Sequence, residues 1–316
     1  MSQYMTSNSL IESVKIRASV PENQATYTAE DFLQLANEEM INGLVPSIMK
    51  LHEDYLLYEQ DTPIVEGKLS YEIPYRAVGN KLRDVQFKTD DGNFVEMTRI
   101  SIGERFHAND IHDYNSLRKY YLRHNSVVLS PEQQGTTSGN LTFIYYIRPS
   151  ELVTEERIGI ISGINRNTGE IVLTSFPENF TSTTRFDFYT ARSPHRILSI
   201  DLEPMLLNST SLSVTFDPAL IPDDLQIGDH LSQSCEAIIP QIPSDLHSVL
   251  AHRVAMRMLE SMGDTEGLSN ATRKLAEMEM NLQTLIDSRV DDAPQKIVNR
   301  HGLLRAGVNS KNINKR

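Results

Sequence analysis

The hydrophobic period of this chain changes twice along its length. Apolar residues recur at helical spacing near both ends, whereas between Pro63 and Pro240 they fall in short alternating runs punctuated by Gly, Pro, Asn and Asp. Neither an all-helical nor an all-strand architecture accommodates both patterns, so the expected class is α+β, with helices and antiparallel strands sharing the core. The 316 residues suffice for one large domain or two ordinary ones.

Residues 1–26 are polar and mixed, and read as an N-terminal arm. Thr28-Ala29-Glu30-Asp31 then opens a helix as a capping box, followed by Phe32, Leu35, Ala36 and Met40 on one face. A second helix is expected from Val45-Pro46, since proline is tolerated in a first turn. Asn42-Gly43 would make the break, giving a helical hairpin.

Leu82–Phe87 and Phe94–Met97 flank Asp91-Gly92 and predict a β-hairpin. Residues 109–121 read as a short helix or loop. A second hairpin is expected from Ser126–Leu129 and Leu141–Ile147, ended by Pro149. Beyond Pro243, Leu246, Val249, Leu250, Val254, Met258 and Leu259 predict a helix stopped by Gly263. A last helix from about Gly267 carries the seam Leu268, Ala271, Leu275, Met278, Leu282 and Leu285.

Residues 157–240 carry an internal echo. Ile160–Ile164 and Gly169–Pro177 recur as Ile197–Asp201 and Ser211–Pro218, and Arg185–Tyr189 as Gly228–Leu231. Two copies of about 37–40 residues are too few for a solenoid and predict an inserted antiparallel β domain, a small barrel or sandwich. The expected organisation is therefore a helical and hairpin core over 27–156 and 241–290, interrupted by 157–240 and followed by residues 291–316.

Charge is unevenly shared. The chain has 30 basic and 42 acidic residues, a net −12. From Ala293 to Arg316 there are six basic residues (Lys296, Arg300, Arg305, Lys311, Lys315, Arg316) and no acid, so the remainder carries −18. Such a body is a poor coat for nucleic acid. Three readings of the basic segment stand: a solvated end, a nucleic-acid contact, or a stretch that folds against an acidic protein surface. No aromatic residue lies among the charges for base stacking, and Leu303 and Leu304 supply an apolar anchor, which favours the protein surface.

Chemical motifs are sparse. The single Cys235 excludes an intramolecular disulfide framework and a cysteine-based zinc site. The N-terminus lacks a basic region followed by an apolar one, and no stretch approaches the roughly 18 apolar residues of a membrane span, so neither export nor membrane contact is expected. Gly67-Lys68-Leu69 lacks the remainder of a phosphate loop, and Gly159-Ile160-Ile161-Ser162-Gly163 places its serine wrongly for a nucleophile elbow. His107/His112 and His247/His252 are five apart, about 500° around a helix, so they do not share a metal-binding face and read as packing residues. No catalytic residue, cofactor or metal is assigned, although two carboxylates distant in sequence can still meet in space.

The order of elements, with Thr28–Glu39, Val127-Val128-Leu129-Ser130-Pro131, Leu141–Pro149 and Leu250–Glu260, resembles head-to-tail connector (adaptor, or neck) proteins of tailed bacteriophages. The resemblance covers roughly residues 27–150 and 241–290; the insertion departs from the smaller members. It implies a structural virion protein, assembled in the host cytoplasm into a homo-oligomeric, commonly dodecameric ring between the portal protein and the tail proteins. Genomic DNA would pass through without specific binding, and Lys296, Arg300, Leu303, Leu304, Arg305, Lys311, Lys315 and Arg316 would hold the portal. Two alternatives stay open: a carbohydrate-active or other hydrolytic enzyme with a β-sheet binding insertion, and a DNA-packaging accessory. The last of these predicts DNA affinity that falls steeply with salt and disappears when residues 293–316 are removed; an electrophoretic shift titration at low salt checks it, and absence of binding there excludes it.

Overall fold

The chain forms five α-helices, four of them where apolar faces were read above: α1 (Ser7–Arg17), which was not expected, α2 (Ala29–Glu39), α3 (Val45–Leu51), α4 (His247–Met262) and α5 (Thr265–Ile286). The computed structural model describes residues 4–21, 26–106, 119–130, 139–192 and 194–286. The Thr28 capping box is formed in full, with Asp31 accepting the Thr28 N–H at 2.7 Å. Gly263 ends α4 at φ 73°, a left-handed position that glycine occupies without a Cβ clash. Leu268, Leu275 and Met278 of α5 pack on the helical core, and Ala271 is buried in it.

Two helical expectations are corrected. The segment read as an arm carries α1, whose Leu10, Ile11 and Val14 are buried against the helical core. Its weak amphipathic pattern concealed it: both Ser7 and Leu10 are buried, while Ile16 is exposed. Nor does the chain reverse at Asn42-Gly43. A π-helical turn, Met40–Leu44, joins α2 directly to α3, with the Val45 N–H donating to the Met40 carbonyl. The wider turn accommodates Pro46, which lacks an N–H and would crowd a preceding carbonyl in a regular helix. A Cβ at Gly43 would meet the end of the Arg253 side chain of α4, which would then have to shift.

The scaffold strands are β1 (Leu57–Pro63), β2 (Ser70–Glu72), β3 (Ala77–Lys88), β4 (Phe94–Glu96), β5 (Thr98–Arg99), β6 (Lys119–Arg123), β7 (Ser126–Ser130), β8 (Asn140–Ile147) and β9 (Glu151–Leu152). All but β9 form two four-stranded sheets, ordered β1-β8-β3-β4 and β2-β7-β6-β5. The β3–β4 hairpin around Asp91-Gly92 is present, with Phe87 opposite Val95. The second expected hairpin is not: β7 pairs with β6 and β2, whereas β8 lies between β1 and β3. Alternate residues of β8 (Leu141, Phe143, Tyr145, Ile147) join Tyr71, Val127 and Leu129 in one apolar cluster, so the two segments meet by packing instead of by a ladder.

The insertion holds β10 (Gly159–Asn165), β11 (Glu170–Leu173), β12 (Phe186–Tyr189), β13 (Ile197–Leu202), β14 (Leu206–Asn208), β15 (Ser213–Thr215), β16 (His230–Gln233) and β17 (Glu236–Ala237). All but β17 form a seven-stranded antiparallel sheet in the order β13-β12-β16-β10-β11-β15-β14. The sequence echo is visible in this order. Equivalent strands pair with each other, β11 with β15 and β12 with β16. The run β13–β14 corresponds to β10: β10 pairs with β16 over Gly159-Ile160 and then, from Ile161 on and across a bulge, with β11, while β13 pairs with β12 and β14 with β15.

The sheet ends, β13 and β14, are linked by only Glu203-Pro204-Met205. Seven flat strands would place them about 29 Å apart at roughly 4.8 Å per strand, beyond the reach of about 14 Å for so short a link, so the sheet rolls. Of the two forms expected, a small barrel or a sandwich, a closed barrel is not formed, because the two end strands do not pair with each other. Phe186, Phe188 and Phe216 fill its centre, with ring centroids 5.3 and 5.8 Å apart.

Exit and return of the insertion lie side by side, since β9 and β17 pair in parallel with Leu152 opposite Ala237. The class is thus α+β. Among the described residues no helix is long and apolar enough to cross a membrane. If α1 is a core element, Leu10→Ala lowers unfolding free energy by about 2–5 kcal/mol; urea denaturation followed by circular dichroism measures this, and an unchanged midpoint would restore the arm reading.

Candidate functional site

Several segments converge where the insertion joins the scaffold, and charge is what holds them. Arg76 lies in the turn between β2 and β3, and Asp187 lies within β12. Their side chains, each 2% exposed, pair at 2.7 Å. Arg76 also donates to the Ser150 hydroxyl at 3.1 Å. Asp187 in turn accepts the N–H of Asp201 at 2.9 Å and that of Cys235 at 3.0 Å. One carboxylate therefore ties the β2–β3 turn, β13 and the approach to β17 to β12.

Both amide donors sit at positive φ, 56° for Asp201 and 69° for Cys235. Such backbone costs about 1–2 kcal/mol per residue, which the shared carboxylate offsets. Burial pushes the Asp187 carboxyl up, against the pull of Arg76 and of the two N–H donors. Burial works to lower the Arg76 guanidinium, but Asp187, with Cys235 and Asp201 adding to it, outweighs that and holds it above its ordinary value. Around the pair, Tyr75 donates to Asp201 at 2.5 Å, and Ser234 donates to the same oxygen. Burial, then the bond to Asp201, raises the Tyr75 phenol.

The arrangement suits a clamp better than an acid–base centre. The Asp187 carboxylate is occupied by a guanidinium and two amides, and at 2% exposure it is remote from any solvent-borne substrate. Neighbouring contacts extend the clamp. Asn37 of α2 uses both ends of its amide on Leu152, donating to its carbonyl at 3.2 Å and accepting its N–H at 2.7 Å. Ser7 donates from its backbone N–H, at 2.7 Å, and from its hydroxyl to the Ile238 carbonyl.

Three buried histidines lie beside this clamp. His247 accepts the Met5 N–H at Nδ1 (3.0 Å) and presents Nε2–H to the Pro240 and Ile242 carbonyls, which defines a neutral tautomer. His195 packs edge-on to Tyr4 and 6.1 Å from His247, and His230 stacks on Tyr189. Burial lowers all three; for His230 and His247 the value falls to about 4, with His195 adding to the effect on both. His252 binds the Ala271 carbonyl at 2.9 Å and joins α4 to α5, so His247 and His252 are the packing residues their spacing implied.

Between α2 and residues 151–157 lies a cleft of about 460 Å³, floored by Leu33, Ile41 and Leu152 and edged by the exposed Glu30, Glu38 and Glu151. Arg157 reaches it but is paired with Glu236. Lys296, Arg300, Leu303, Leu304, Arg305, Lys311, Lys315 and Arg316 lie outside the described residues, as do His107 and His112. Sequence reasoning missed Arg76 and Asp187. The one signal was an aspartate between two phenylalanines in a strand buried at all four positions.

No family model matches the chain, and no curated protein matches it at a significant level.

Removing one partner of the buried pair leaves an uncompensated charge, so Arg76→Met costs about 3–5 kcal/mol in urea unfolding, whereas combining it with Asp187→Leu recovers much of that loss; equal destabilisation by the single and double variants would contradict the clamp. The histidines give a second expectation. Their folded values lie below the unfolded value near 6.5, so the unfolded chain binds more protons between about pH 6.5 and 4, and stability falls as pH drops through that window by roughly 3 kcal/mol for each of His230 and His247. His247→Asn, which keeps an acceptor for Met5, flattens the slope of stability against pH in that range; an unchanged slope would rule out the contribution.

Proposed function

We propose that this chain is a structural virion protein, a head-to-tail connector that forms a ring between portal and tail and continues the DNA channel. The observation that carries the reading is the placement of the four segments with connector-like wording. They become α2, β7, β8 and α4, all in the scaffold, and the departure from that pattern is confined to an insertion that leaves and returns through paired neighbouring strands.

Mechanical considerations support the same reading. The polar groups of the joint are spent on holding modules together. A ring that transmits force between head and tail needs its outer module fixed to its core, and a buried ion pair braced by backbone donors supplies that. The acidic body suits a channel wall past which DNA slides without sticking, since like charge repels the phosphate backbone. The basic segment with Leu303 and Leu304 complements it, pairing its cations with carboxylates on the portal while the leucines fill a groove.

The test uses the full chain and its cognate portal. Mass photometry of the mixture yields a portal-bound ring, whether or not the chain is monomeric alone; monomers in both conditions contradict the proposal. A chain lacking residues 294–316 keeps its circular dichroism spectrum and melting temperature but docks at least tenfold more weakly. Unchanged docking would show that the segment is not the portal contact.

A further inference from the structure

We infer that the cavity between the start of β1, the end of β8 and the loop before β13 is a binding site for a small aromatic carboxylic acid. The proposal is independent of the ring reading and concerns a part of the molecule that reading does not use. Tyr55, Tyr58, Ile147 and Ile197 supply apolar walls around a volume of about 200 Å³. A cavity of about 150 Å³ accommodates benzene, so this one has room for a single ring with a short polar substituent.

Two side chains lining the cavity are more than nine-tenths buried and have unused hydrogen-bonding atoms. Gln241 is 7% exposed, and its Oε1 accepts the Ser150 N–H at 2.8 Å. That bond fixes the orientation of the amide and leaves Nε2, a double donor, without a protein partner. His195 is 2% exposed, and neither ring nitrogen has a partner in hydrogen-bond geometry. The Thr190 and Ala191 carbonyls lie close enough only to offset part of its desolvation. A buried polar group left in that state is destabilising unless a ligand meets it, and His195 adds a backbone at φ 55°.

The chemistry of the lining selects the ligand's polar end. No carboxylate lines the cavity, and the one charged side chain that does is Arg196, more than half exposed and therefore at the rim. Gln241 Nε2 and a His195 N–H are donors, and Arg196 at the rim, already paired with Asp224 at 2.6 Å, adds only a partly neutralised cation; the two donors favour an acceptor, a carboxylate more strongly than a neutral group, and disfavour an ammonium group. The aromatic and aliphatic walls favour a flat apolar body. A carboxylate on an aromatic ring combines both requirements.

The experiment titrates the full chain with phenylacetate, its neutral amide phenylacetamide, and phenethylamine, following ligand signals by saturation-transfer NMR. Phenylacetate is expected to saturate with a Kd on the order of 100 μM, as befits so small a ligand. The amide should bind at least fivefold more weakly, and the amine not measurably. Ile197→Trp, which fills the cavity, and Gln241→Glu at pH 8, which retains an acceptor for Ser150 but replaces the donor with a charge, should each weaken phenylacetate at least tenfold while melting as cooperatively as the parent. No saturable binding, an amine equal to the acid, or a folded Ile197→Trp protein that binds normally would each overturn the proposal. A short peptide ending in phenylalanine with a free carboxylate separates the two sources of this chemistry. Weaker binding than phenylacetate supports a small acid, and tighter binding overturns it in favour of a partner's chain end.

Discussion

The buried Arg76–Asp187 pair is the constraint on which the arrangement of modules depends. A charge removed from water has to be met by an opposite charge and by donors, and each group that meets Asp187 comes from a different stretch of chain. The insertion has its own phenylalanine core and the scaffold has its own apolar clusters, and across the joint Ile197 and Ile200 of β13 pack on a scaffold cluster; such apolar contact is non-directional and fixes the angle less sharply than a paired charge. The ion pair and the amide bonds of Asn37 and Ser7 are directional. They select one relative placement at a cost in desolvation that purely apolar contact would not incur.

How far this was legible in the sequence depends on the range of the interactions. The capping box at Thr28, the glycine stop at Gly263 and the Asp91-Gly92 hairpin are local devices, set by a few neighbouring residues, and all are formed. The echo within 157–240 was readable too, and two of its three strand pairs, β11 with β15 and β12 with β16, lie side by side in the sheet. What could not be read was partnership at a distance. The run at Ser126 and the run at Leu141 look like successive hairpin strands, yet each pairs elsewhere, because a strand pattern states which face is buried without stating which neighbour lies beside it. The π-turn at Met40–Leu44 hid behind Asn42-Gly43, whose glycine lies beside the end of the Arg253 side chain and makes no reversal. The site was less legible still: Arg76 and Asp187 are 111 residues apart, and neither stands in a recognisable motif.

A physical picture of function follows from how the polar groups are used. Most of the buried ones serve as struts: His252 joins two helices, His247 anchors the entry to α1, and Asp187 locks the insertion. The cavity beside His195 and Gln241 is where this pattern breaks, and a small ligand there would brace the same joint. The charge split, an acidic body and a basic end on one chain, fits the proposed connector, in which the body would repel DNA while the end meets an acidic partner.

The most direct test of the connector account is an electron cryomicroscopy reconstruction of the full chain mixed with its portal. The account predicts a closed ring of copies coaxial with the portal, with the helical scaffold in the ring, the insertion held at one fixed angle in every copy, and density for residues 296–316 against the portal. Portal particles without added density, or copies bound singly with the insertion at variable angles, would contradict it.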